Sequence, residues 1–551
     1  MSSPKDDTDL AKTHLLDDGK RSANDKSSED IDVSEDNAES DGEDLLEQYH
    51  EILKAIDLKE LPRVAIQARM QWAIIKVLPA PTNIEAAVAT ASPTCGSFHV
   101  HFHVEFTDGL RWLLKVPTTG TISRGNSSAA KSLTSEALTM RFPQRKTKIP
   151  LPQVYDFDAG LENKLAVPFI LMEWTDGCCL YDVWFDNIIS EEDLKFKRSR
   201  TLEDVASAMI QLSQFSFPRC GSVFFDDAGE ASDIGPFRVV DSHAIFARLD
   251  ANGENCDNSP IFAEIGPLDT HKSYFQNGLA RRPEPNTDWQ RGDLAVVKLL
   301  LESVPEPDVS TRIPFVLTHP DFDIQNVLVS KDGHVKAFID WDEVCAVPHL
   351  LGPERYPSWL TRDWDPSIYG YEEGRGSDQH PDGCPEDSPA VLTFYRKMYA
   401  GLISQFAAAR EGGAMEGQHD YRVSPAITRQ SLVHENLLIA VDEPLCTHHI
   451  ISNLFDKVQE LQINDEMKDM SYWDVTQSLA ADEARGQVKD ALREGFIALL
   501  MVVGVSFDAY EVTLSASWQY RADLLAKIHG IMTDREQSLG APNIGSHFSL
   551  I

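Results

Sequence analysis

Apolar and polar side chains alternate along one stretch near residue 100, which is the pattern of a half-buried β-strand. Apolar residues occupy every second position from Phe98 to Phe106, and between them stand His99, His101, His103 and Glu105. Residues 107–109 read Thr-Asp-Gly and predict a turn into a second strand over residues 110–117. The sequence therefore predicts a hairpin in this region.

Lys115 lies near the end of the second strand of this hairpin. It shares a face with Arg111 and Leu113, because side chains alternate across a strand. A lysine on the inner face of a sheet needs an anionic partner, since an unpaired buried charge is costly. We therefore expect Lys115 to meet an anion, and a surface lysine whose stem lies along apolar side chains is the alternative.

Apolar positions three or four residues apart predict helices elsewhere. One such pattern runs from Leu45 to Ile56, another covers residues 132–140 with Glu136, and a third covers residues 205–215 ahead of a strand at 221–227. Later patterns cover residues 391–405 and 485–536, with Trp518 and Tyr520 expected in the core. The apolar run at residues 496–507 is shorter than the roughly 20 residues of a membrane span, so we expect a buried helix.

Residues 315–342 contain two apolar runs around a turn. Residues 327–329 and 335–339 flank Asp332 and Gly333, a dipeptide that favours the hairpin turn. Asn326 lies seven residues before Gly333, and Asp340 lies seven residues after it. Folding the hairpin therefore brings Asn326 and Asp340 together at its open end.

Asn326 and Asp340 would offer an amide oxygen and a carboxylate to one point. Hard cations such as Mg²⁺ take oxygen ligands from one or two protein groups and complete their shell with phosphate and water. Asp321 lies in the loop before the first strand, where it could accept a proton from an incoming hydroxyl. The alternative is that these side chains only cap turns. The whole pattern favours metal-assisted transfer from a nucleotide.

The motifs His319-Pro320-Asp321 and Ile339-Asp340-Trp341, with Asn326 between them, resemble the catalytic and metal-binding loops of the aminoglycoside phosphotransferase-like family. That family phosphorylates small molecules with a protein-kinase-like fold. Protein kinases have His-Arg-Asp and Asp-Phe-Gly at these places, so this chain lacks both signatures. Pro320 also departs from the family, which often has Gly there. The resemblance covers about residues 60–365 by recognisable motifs.

The resemblance implies an α+β fold of two lobes, in which the N-lobe is small and rich in β-structure and the C-lobe is larger and mainly helical. We expect the N-lobe at residues 45–172 and the C-lobe at residues 173–536. A disordered acidic tail would precede them at residues 1–44, and a C-terminal tail would follow at 537–551.

The resemblance also implies how ATP is held. Lys115 would contact the α and β phosphates, and Glu136 would orient Lys115. Met172, Glu173 and Trp174 would form the linker between the lobes, whose backbone pairs with adenine. The phosphate-binding loop is poorly matched, because residues 92–97 contain one glycine and not G-x-G-x-x-G.

The family resemblance further implies that Asp321 is the catalytic base and that Asn326 and Asp340 hold Mg²⁺. His319 would support the catalytic loop by packing. Asp342 and Asp323 would contribute only surrounding contacts.

Two groups of histidines have a possible metal-binding spacing. His99, His101 and His103 could converge on a metal, but the solvated side of an amphipathic strand is the preferred interpretation. Cys446 lies close to two histidines at 448–449, and no second ligand pair stands at zinc-site spacing. We therefore expect no metal at either place.

The region after the metal loop is rich in acids. Asp363, Asp365 and the loop at residues 372–388 could receive a cationic acceptor such as an amine. Solvated loop charges are the alternative, and the sequence slightly favours them.

Charge and composition restrict the class of protein. The net charge is −37, which argues against nucleic acid as a partner, because phosphate backbones are bound by clustered Lys and Arg. Fifteen acidic residues stand against five basic ones in the first 44 positions. Such a segment cannot bury enough apolar surface to fold, and an acidic interaction tail is the functional alternative.

The cysteines and the N-terminal sequence indicate in which cellular compartment the protein is expected. The eight cysteines are scattered, and Cys178 and Cys179 are neighbours that do not readily bridge each other. No apolar leader region is evident at the N-terminus. We therefore expect a reducing compartment, a cytoplasmic location and no membrane.

The sequence hypothesis is an ATP-dependent, Mg²⁺-assisted kinase of a small-molecule hydroxyl, with Asp321 as base. A kinase-fold binding protein without catalysis is the alternative, and the absent signatures disfavour a protein kinase.

Overall fold

The computed structural model describes residues 49–79, 81–88, 93–121, 126–252, 260–304, 314–373, 385–411, 425–463, 467–481 and 486–505. The chain has the predicted α+β fold of two lobes, one built on an antiparallel sheet and the other larger and mainly helical. The acidic tail, Trp518, Tyr520 and the C-terminal tail lie outside the described residues. The exact segment boundaries stay a prediction.

One antiparallel sheet forms the centre of the smaller lobe. Its strands are β1 (Ala86–Val88), β2 (Thr94–Cys95), β3 (His99–Phe106), β4 (Arg111–Pro117), β5 (Val154–Asp158) and β6 (Phe169–Glu173). Along the sheet the order is β1-β3-β4-β6-β5, with β2 paired to β3. Burial alternates along β3 because its apolar positions pack against Trp112 and Leu114 of β4 in one core. The predicted hairpin is therefore confirmed.

Two helices pack against the same small core. They are α1 (His50–Ala55) and α2 (Leu61–Ile75). Ile52 and Ile56 are buried as the helical spacing predicted. The sequence pattern did not predict α2, although Pro62 in its first turn favours a helix start at that point.

The helix α3 (Ser127–Lys146) carries Glu136 between the two lobes. Asn126 caps it, because the Asn126 side chain accepts a hydrogen bond of 2.8 Å from Ala129 N. Leu133 and Met140 of α3 pack in a core that residues of both lobes share. Ser135 Oγ donates to Val223 O at 2.9 Å in the larger lobe, and Arg141 donates to Val154 O and Tyr155 O of β5 in the small lobe. The helix is therefore attached to both lobes.

Short strands in the larger lobe form small antiparallel sheets. They are β7 (Cys178–Cys179), β8 (Ser216–Phe217), β9 (Ser222–Phe225), β10 (Ala231–Gly235), β11 (Phe237–Val240), β12 (Phe262–Ile265), β13 (Phe315–Leu317), β14 (Val327–Val329), β15 (Val335–Phe338) and β16 (Ala346–Pro348). β7, β14 and β15 form one sheet, and β8, β13 and β16 form another. β11 and β12 pair as a separate hairpin.

Helices make up most of the larger lobe. They are α4 (Leu180–Trp184), α5 (Glu191–Met209), α6 (Ser242–Asn252), α7 (His271–Arg281), α8 (Asp288–Ser303), α9 (Pro389–Glu411), α10 (Pro425–Asp442), α11 (Thr447–Glu460), α12 (Tyr472–Ala480) and α13 (Gly486–Val505). Phe496 and Leu499 of the apolar run are buried in α13. Within the described ranges, every helix is too short or too polar to cross a bilayer.

Candidate active site

The β14–β15 hairpin brings Asn326 close to Asp340. Val327 pairs with Phe338 in the hairpin, and Ile339 N donates to Asn326 O at 2.9 Å. The turn requires Gly333, whose φ is +88° and whose missing Cβ would meet Lys197 O at 2.7 Å. The predicted hairpin therefore forms, but its pairing is shifted by one residue, so that Asn326 faces Ile339 and Asp340 follows directly.

Asp321 and Asn326 are joined directly. Asn326 Nδ2 donates to Asp321 Oδ2 at 2.7 Å and to Asp321 O at 2.9 Å. Gln325 Nε2 donates to the same Oδ2 at 3.3 Å. Among the described residues, Asp321 Oδ1 has no hydrogen-bond partner, and the side chain is exposed. Oδ2 of Asp321 is thus held by hydrogen bonds, while Oδ1 remains available to accept one.

His319 supports the loop that carries Asp321. It is fully buried, its Nε2 donates to Ile339 O at 2.9 Å, and its ring meets Trp341 edge-on. Burial lowers the pKa of His319 to about 3, so the ring is neutral. Arg355 Nη2 donates to His319 O at 2.8 Å. These contacts fix the backbone just before Asp321.

Lys115 lies at the centre of a carboxylate cluster. Its Nζ lies 2.9 Å from Glu136 Oε1, 3.4 Å from Asp340 Oδ1 and 2.5 Å from Asp342 Oδ1. Burial alone would lower the pKa of Lys115, but the three carboxylates raise it well above its usual value. The buried ammonium therefore stays charged.

The carboxylates of the cluster differ in their surroundings. Burial raises the pKa of Glu136, and the neighbouring Asp342 raises it further. Asp342 shows the opposite net shift: burial opposes ionisation, but His99 and Lys115 hold its pKa well below the usual range. Burial and Asp342 raise the pKa of Asp340 to about 7. Asp342 is thus the permanent anion beside Lys115.

Sequence reasoning gave Asp342 only a supporting role. The structure places it in direct contact with Lys115 and within 3.0 Å of His99 Nδ1. The sequence contained a signal for this contact. Asp340 and Asp342 lie two residues apart on either side of the buried Trp341, and side chains at that spacing can face the same side.

The histidines of β3 lie in neither of the predicted environments. His101 lies opposite Lys115 in the β3–β4 ladder, and His103 lies opposite Leu113 and contacts the Trp174 ring at 4.5 Å. Burial lowers the pKa of His101 to about 3. No cluster of three metal-binding side chains exists in the described part of the chain, and the preferred interpretation of a solvated face was wrong.

The linker donates its N–H groups within the sheet. Glu173 N donates to Gln153 O at 2.8 Å, and Trp174 N donates to Arg111 O at 3.2 Å. Met172 is buried and pairs with Leu113 in the β4–β6 ladder. The N–H groups of Glu173 and Trp174 are therefore already engaged, and the contact of residues 172–174 with adenine stays a prediction.

The predicted phosphate-binding loop is a tight turn where the structure describes it. Gly96 N donates to His99 O at 2.9 Å between β2 and β3. Residues 89–92, including the first residue of the predicted loop, lie outside the described residues.

The acids after the metal loop form internal ion pairs. Arg396 donates to Asp363 at 2.5 Å and 2.9 Å. Arg362 donates to Glu386, and Arg198 donates to Asp387 at 3.0 Å. Structural arginines therefore hold Asp363, Glu386 and Asp387, and neither interpretation describes these three acids. Glu372 and Glu373 are exposed, as the interpretation of solvated loop charges predicts, and residues 374–384 lie outside the described residues.

A cavity of about 740 Å³ opens onto the predicted catalytic groups. Asp321, Asp340 and Lys115 line it. Asn326 and Asp340 supply an amide and a carboxylate beside it, which are the hard oxygen donors that suit Mg²⁺ with few protein ligands. The arrangement can bring a nucleotide phosphate, a divalent cation and a hydroxyl together.

Comparison with known proteins identifies the domain that contains these groups. Residues 98–348 match the model of the phosphotransferase enzyme family. The match confirms the resemblance carried by the catalytic and metal loops.

Two curated relatives share a name and a similar extent of alignment. "Altered inheritance of mitochondria protein 9, mitochondrial" of Clavispora lusitaniae is 23% identical over 319 residues, which cover 50% of this chain and 51% of that protein. The protein of the same name from Lachancea thermotolerans is 23% identical over 369 residues, covering 59% of this chain and 57% of that protein. The chain spans about half the length of these relatives.

Solved structures of phosphotransferases align with a large part of the chain. A thermostable mutant of an aminoglycoside phosphotransferase with AMP-PNP and hygromycin B aligns at a TM-score of 0.29 and 15% identity, covering 77% of this chain and 97% of that one. An amicoumacin kinase with AMP-PNP, Ca²⁺ and its ligand aligns at a TM-score of 0.35 and 11% identity, covering 71% and 88%.

The names of the curated relatives contradict the predicted cytoplasmic location, because they describe mitochondrial proteins. Scattered cysteines distinguish a reducing from an oxidising compartment, but they do not distinguish one reducing compartment from another.

Proposed function

Because residues 98–348 match the phosphotransferase enzyme family, we propose that the protein transfers the γ-phosphate of ATP to a hydroxyl of a small molecule. The observation that carries the proposal is that Asp321, Asp340 and Lys115 line one cavity.

Asp321 would orient and deprotonate the acceptor hydroxyl. Hydrogen bonds from Asn326 and Gln325 hold its Oδ2, so rotation of the carboxylate is restricted. Its Oδ1 then faces an incoming group without competition from another described residue. A held, exposed carboxylate suits a general base.

Lys115 would bind the phosphates of ATP. The surrounding carboxylates keep the Lys115 ammonium charged, and Glu136 of α3 orients the Lys115 side chain. The Lys115 ammonium can donate to three acceptors at once, and three carboxylates already lie within its reach. A bound phosphate would therefore replace Asp342 or Asp340 as one of these acceptors. Glu136 would keep its place, since α3 is attached to both lobes.

Asn326 and Asp340 would hold Mg²⁺. Bound there, the ion would neutralise charge on the phosphates during transfer. The hairpin fixes the two ligands relative to each other, and the backbone of Asp340 has φ +64°, a left-handed conformation that Asp and Asn adopt more readily than most residues.

The proposal is tested with the full chain. Mg·ATP is expected to raise the melting temperature more than ATP with a chelator, and ADP is expected to form when hydroxylated metabolites are added. Nucleotide binding that does not depend on magnesium, with no turnover across the metabolite panel, would instead favour a binding protein without catalysis.

That second function has one observation in its favour. The N–H groups of Glu173 and Trp174 already donate within the sheet, so the linker offers less to adenine than the family comparison implied. The intact set of Asp321, Asn326 and Asp340 favours catalysis.

The mitochondrial names of the curated relatives support a mitochondrial site for this activity. Fractionation of cells that express the full-length protein tests it, and recovery in the cytosol alone would contradict it.

A further inference from the structure

One side of the cavity has a mainly apolar wall. The β11–β12 hairpin supplies Val240 and Phe262, which share one face because they are directly paired, and Phe98 lies just before β3. Phe98 and Phe262 contact each other with ring centroids 6.2 Å apart. The hairpin therefore connects the small lobe to the larger one across this apolar region.

The charged groups of this region are paired within the protein. Arg238 lies 3.7 Å from Glu343, and its guanidinium lies over the Phe262 ring at 3.9 Å. Glu343 also accepts a hydrogen bond of 2.8 Å from Ser132. Arg355 is paired with Glu435 at 2.6 Å. A charge placed beside this apolar wall would have to break one of these pairs to find a counter-ion, whereas the exposed carboxylates of Asp321 and Asp340 lie at the catalytic end of the cavity.

Two buried threonines in the wall, Thr118 and Thr318, have no such partner among the described residues. The Thr318 side chain lines the cavity and is only 4% exposed, and its hydroxyl has no hydrogen-bond partner among the described residues. A buried hydroxyl without a partner is costly, so a ligand that bonds to it would gain free energy. Thr318 stands three positions before Asp321, at the boundary between the apolar wall and the catalytic loop.

We infer that the acceptor is an uncharged alcohol with an apolar body. The body lies against Phe98, Val240 and Phe262, and the polar end reaches Thr318 and Asp321. This inference rests on the proposed function, because Asp321 is what makes the bound alcohol a phosphate acceptor. Three of the acids that could have received an amine, Asp363, Glu386 and Asp387, are held by Arg396, Arg362 and Arg198.

Binding of defined probes tests the inference without requiring turnover. Linear primary alcohols from butanol to octanol are titrated into the full chain by calorimetry, beside amino alcohols of equal length with a terminal ammonium. Affinity for the alcohols should rise about 3- to 4-fold per methylene until the cavity is filled. With the hydroxyl at Asp321, the terminal ammonium would lie beside the apolar wall and should weaken binding by about 10-fold or more, since the charged groups there are already paired.

Two pairs of variants locate the binding site. Val240→Asp should abolish the dependence on chain length, whereas Ala263→Asp adds the same charge to the opposite face of the hairpin, outside the cavity, and should preserve it. Thr318→Val should weaken alcohol binding by about 2- to 10-fold, and Thr318→Ser should retain it.

The outcomes separate the two proposals. Affinity that is independent of chain length, tighter binding of the amino alcohols, or an unchanged Val240→Asp variant would overturn the apolar acceptor. Alcohols that bind as expected but are never phosphorylated with Mg·ATP would overturn phosphotransfer and support the ligand class. Phosphate transfer to the amino alcohols alone would support phosphotransfer and overturn the uncharged, apolar acceptor.

Discussion

Lys115 lies closer to Asp342 than to Glu136, with contacts of 2.5 Å and 2.9 Å from its Nζ. Glu136 was the partner that the sequence predicted, and the structure adds a stronger anion from the metal loop. In this structure the lysine therefore links the small sheet to the loop that carries Asp340.

We expect Asp342→Asn to tighten the binding of ATP. Lys115 would keep Glu136 but lose the anion with which phosphate must compete, so the Kd for Mg·ATP should fall by about 3- to 10-fold. Calorimetric titration with a non-hydrolysable ATP analogue measures this. Weaker binding would show that Asp342 positions Lys115 for the phosphates.

Asp321→Asn should remove the base and leave the fold intact. The turnover number should fall by about 10²- to 10⁴-fold, which is the range of general base catalysis, while Mg·ATP affinity stays within about 2-fold. Asp332→Asn is the matched control, because Asp332 is an exposed residue in the turn of the same hairpin. Equal activity of the two variants would exclude Asp321 as the base.

Two substitutions at Asp340 separate its charge from its backbone. Asp340→Asn keeps a residue that tolerates φ +64°, so stability should change little while the Mg²⁺ concentration for half-maximal activity rises about 10-fold or more. Asp340→Ala should also lower the free energy of unfolding by about 1–2 kcal/mol, through the left-handed backbone. An unaltered magnesium requirement in both variants would show that Asp340 is not a ligand.

His434 should make the protein less stable in acid. It is buried in α10, neither ring nitrogen has a hydrogen-bond partner among the described residues, and burial lowers its pKa to about 3. The unfolded histidine titrates near its ordinary value of 6.5, so the unfolded chain binds more protons between pH 6.5 and 3. Stability is therefore lost as the pH falls through this window, by at most about 1.4 kcal/mol per pH unit from this residue.

His434→Leu removes that titration while nearly keeping the side-chain volume. The difference in urea midpoint between the variant and the natural chain should grow as the pH falls from 7 to 4. His449→Leu, at an exposed position of α11, is the control and should show a smaller change. Parallel pH curves for His434→Leu and the natural chain would contradict the prediction.

Local patterns predicted one half of the candidate site well. Asn326 and Asp340 are joined by a single hairpin that follows from its apolar runs and from Gly333, although its pairing is shifted by one residue from the predicted one. The pairing of Lys115 with Glu136 was reached through the family resemblance, because no local pattern relates a strand residue to a helix residue beyond the hairpin.

The remaining features depend on tertiary contacts. The strand pattern of His99 and His101 is the same whether that face meets water or a second lobe, so periodicity alone led to a solvated face. Asp363 and Asp387 are likewise indistinguishable from loop acids until Arg396 and Arg198 are placed beside them.

The position of Lys115 along the chain has a consequence for how the molecule assembles. Its partner Asp340 is 225 residues away, whereas Asn326 and Asp340 meet within one hairpin. Asn326 and Asp340 can come together as soon as the hairpin forms. The contact between Lys115 and Asp340 requires the two lobes to dock, and contacts between distant parts of a chain form more slowly. A nucleotide that binds both at Lys115 and at the hairpin would bind only the docked molecule and would stabilise it by mass action. The cellular supply of that nucleotide would then help to set how much of the protein survives as well as how fast it works.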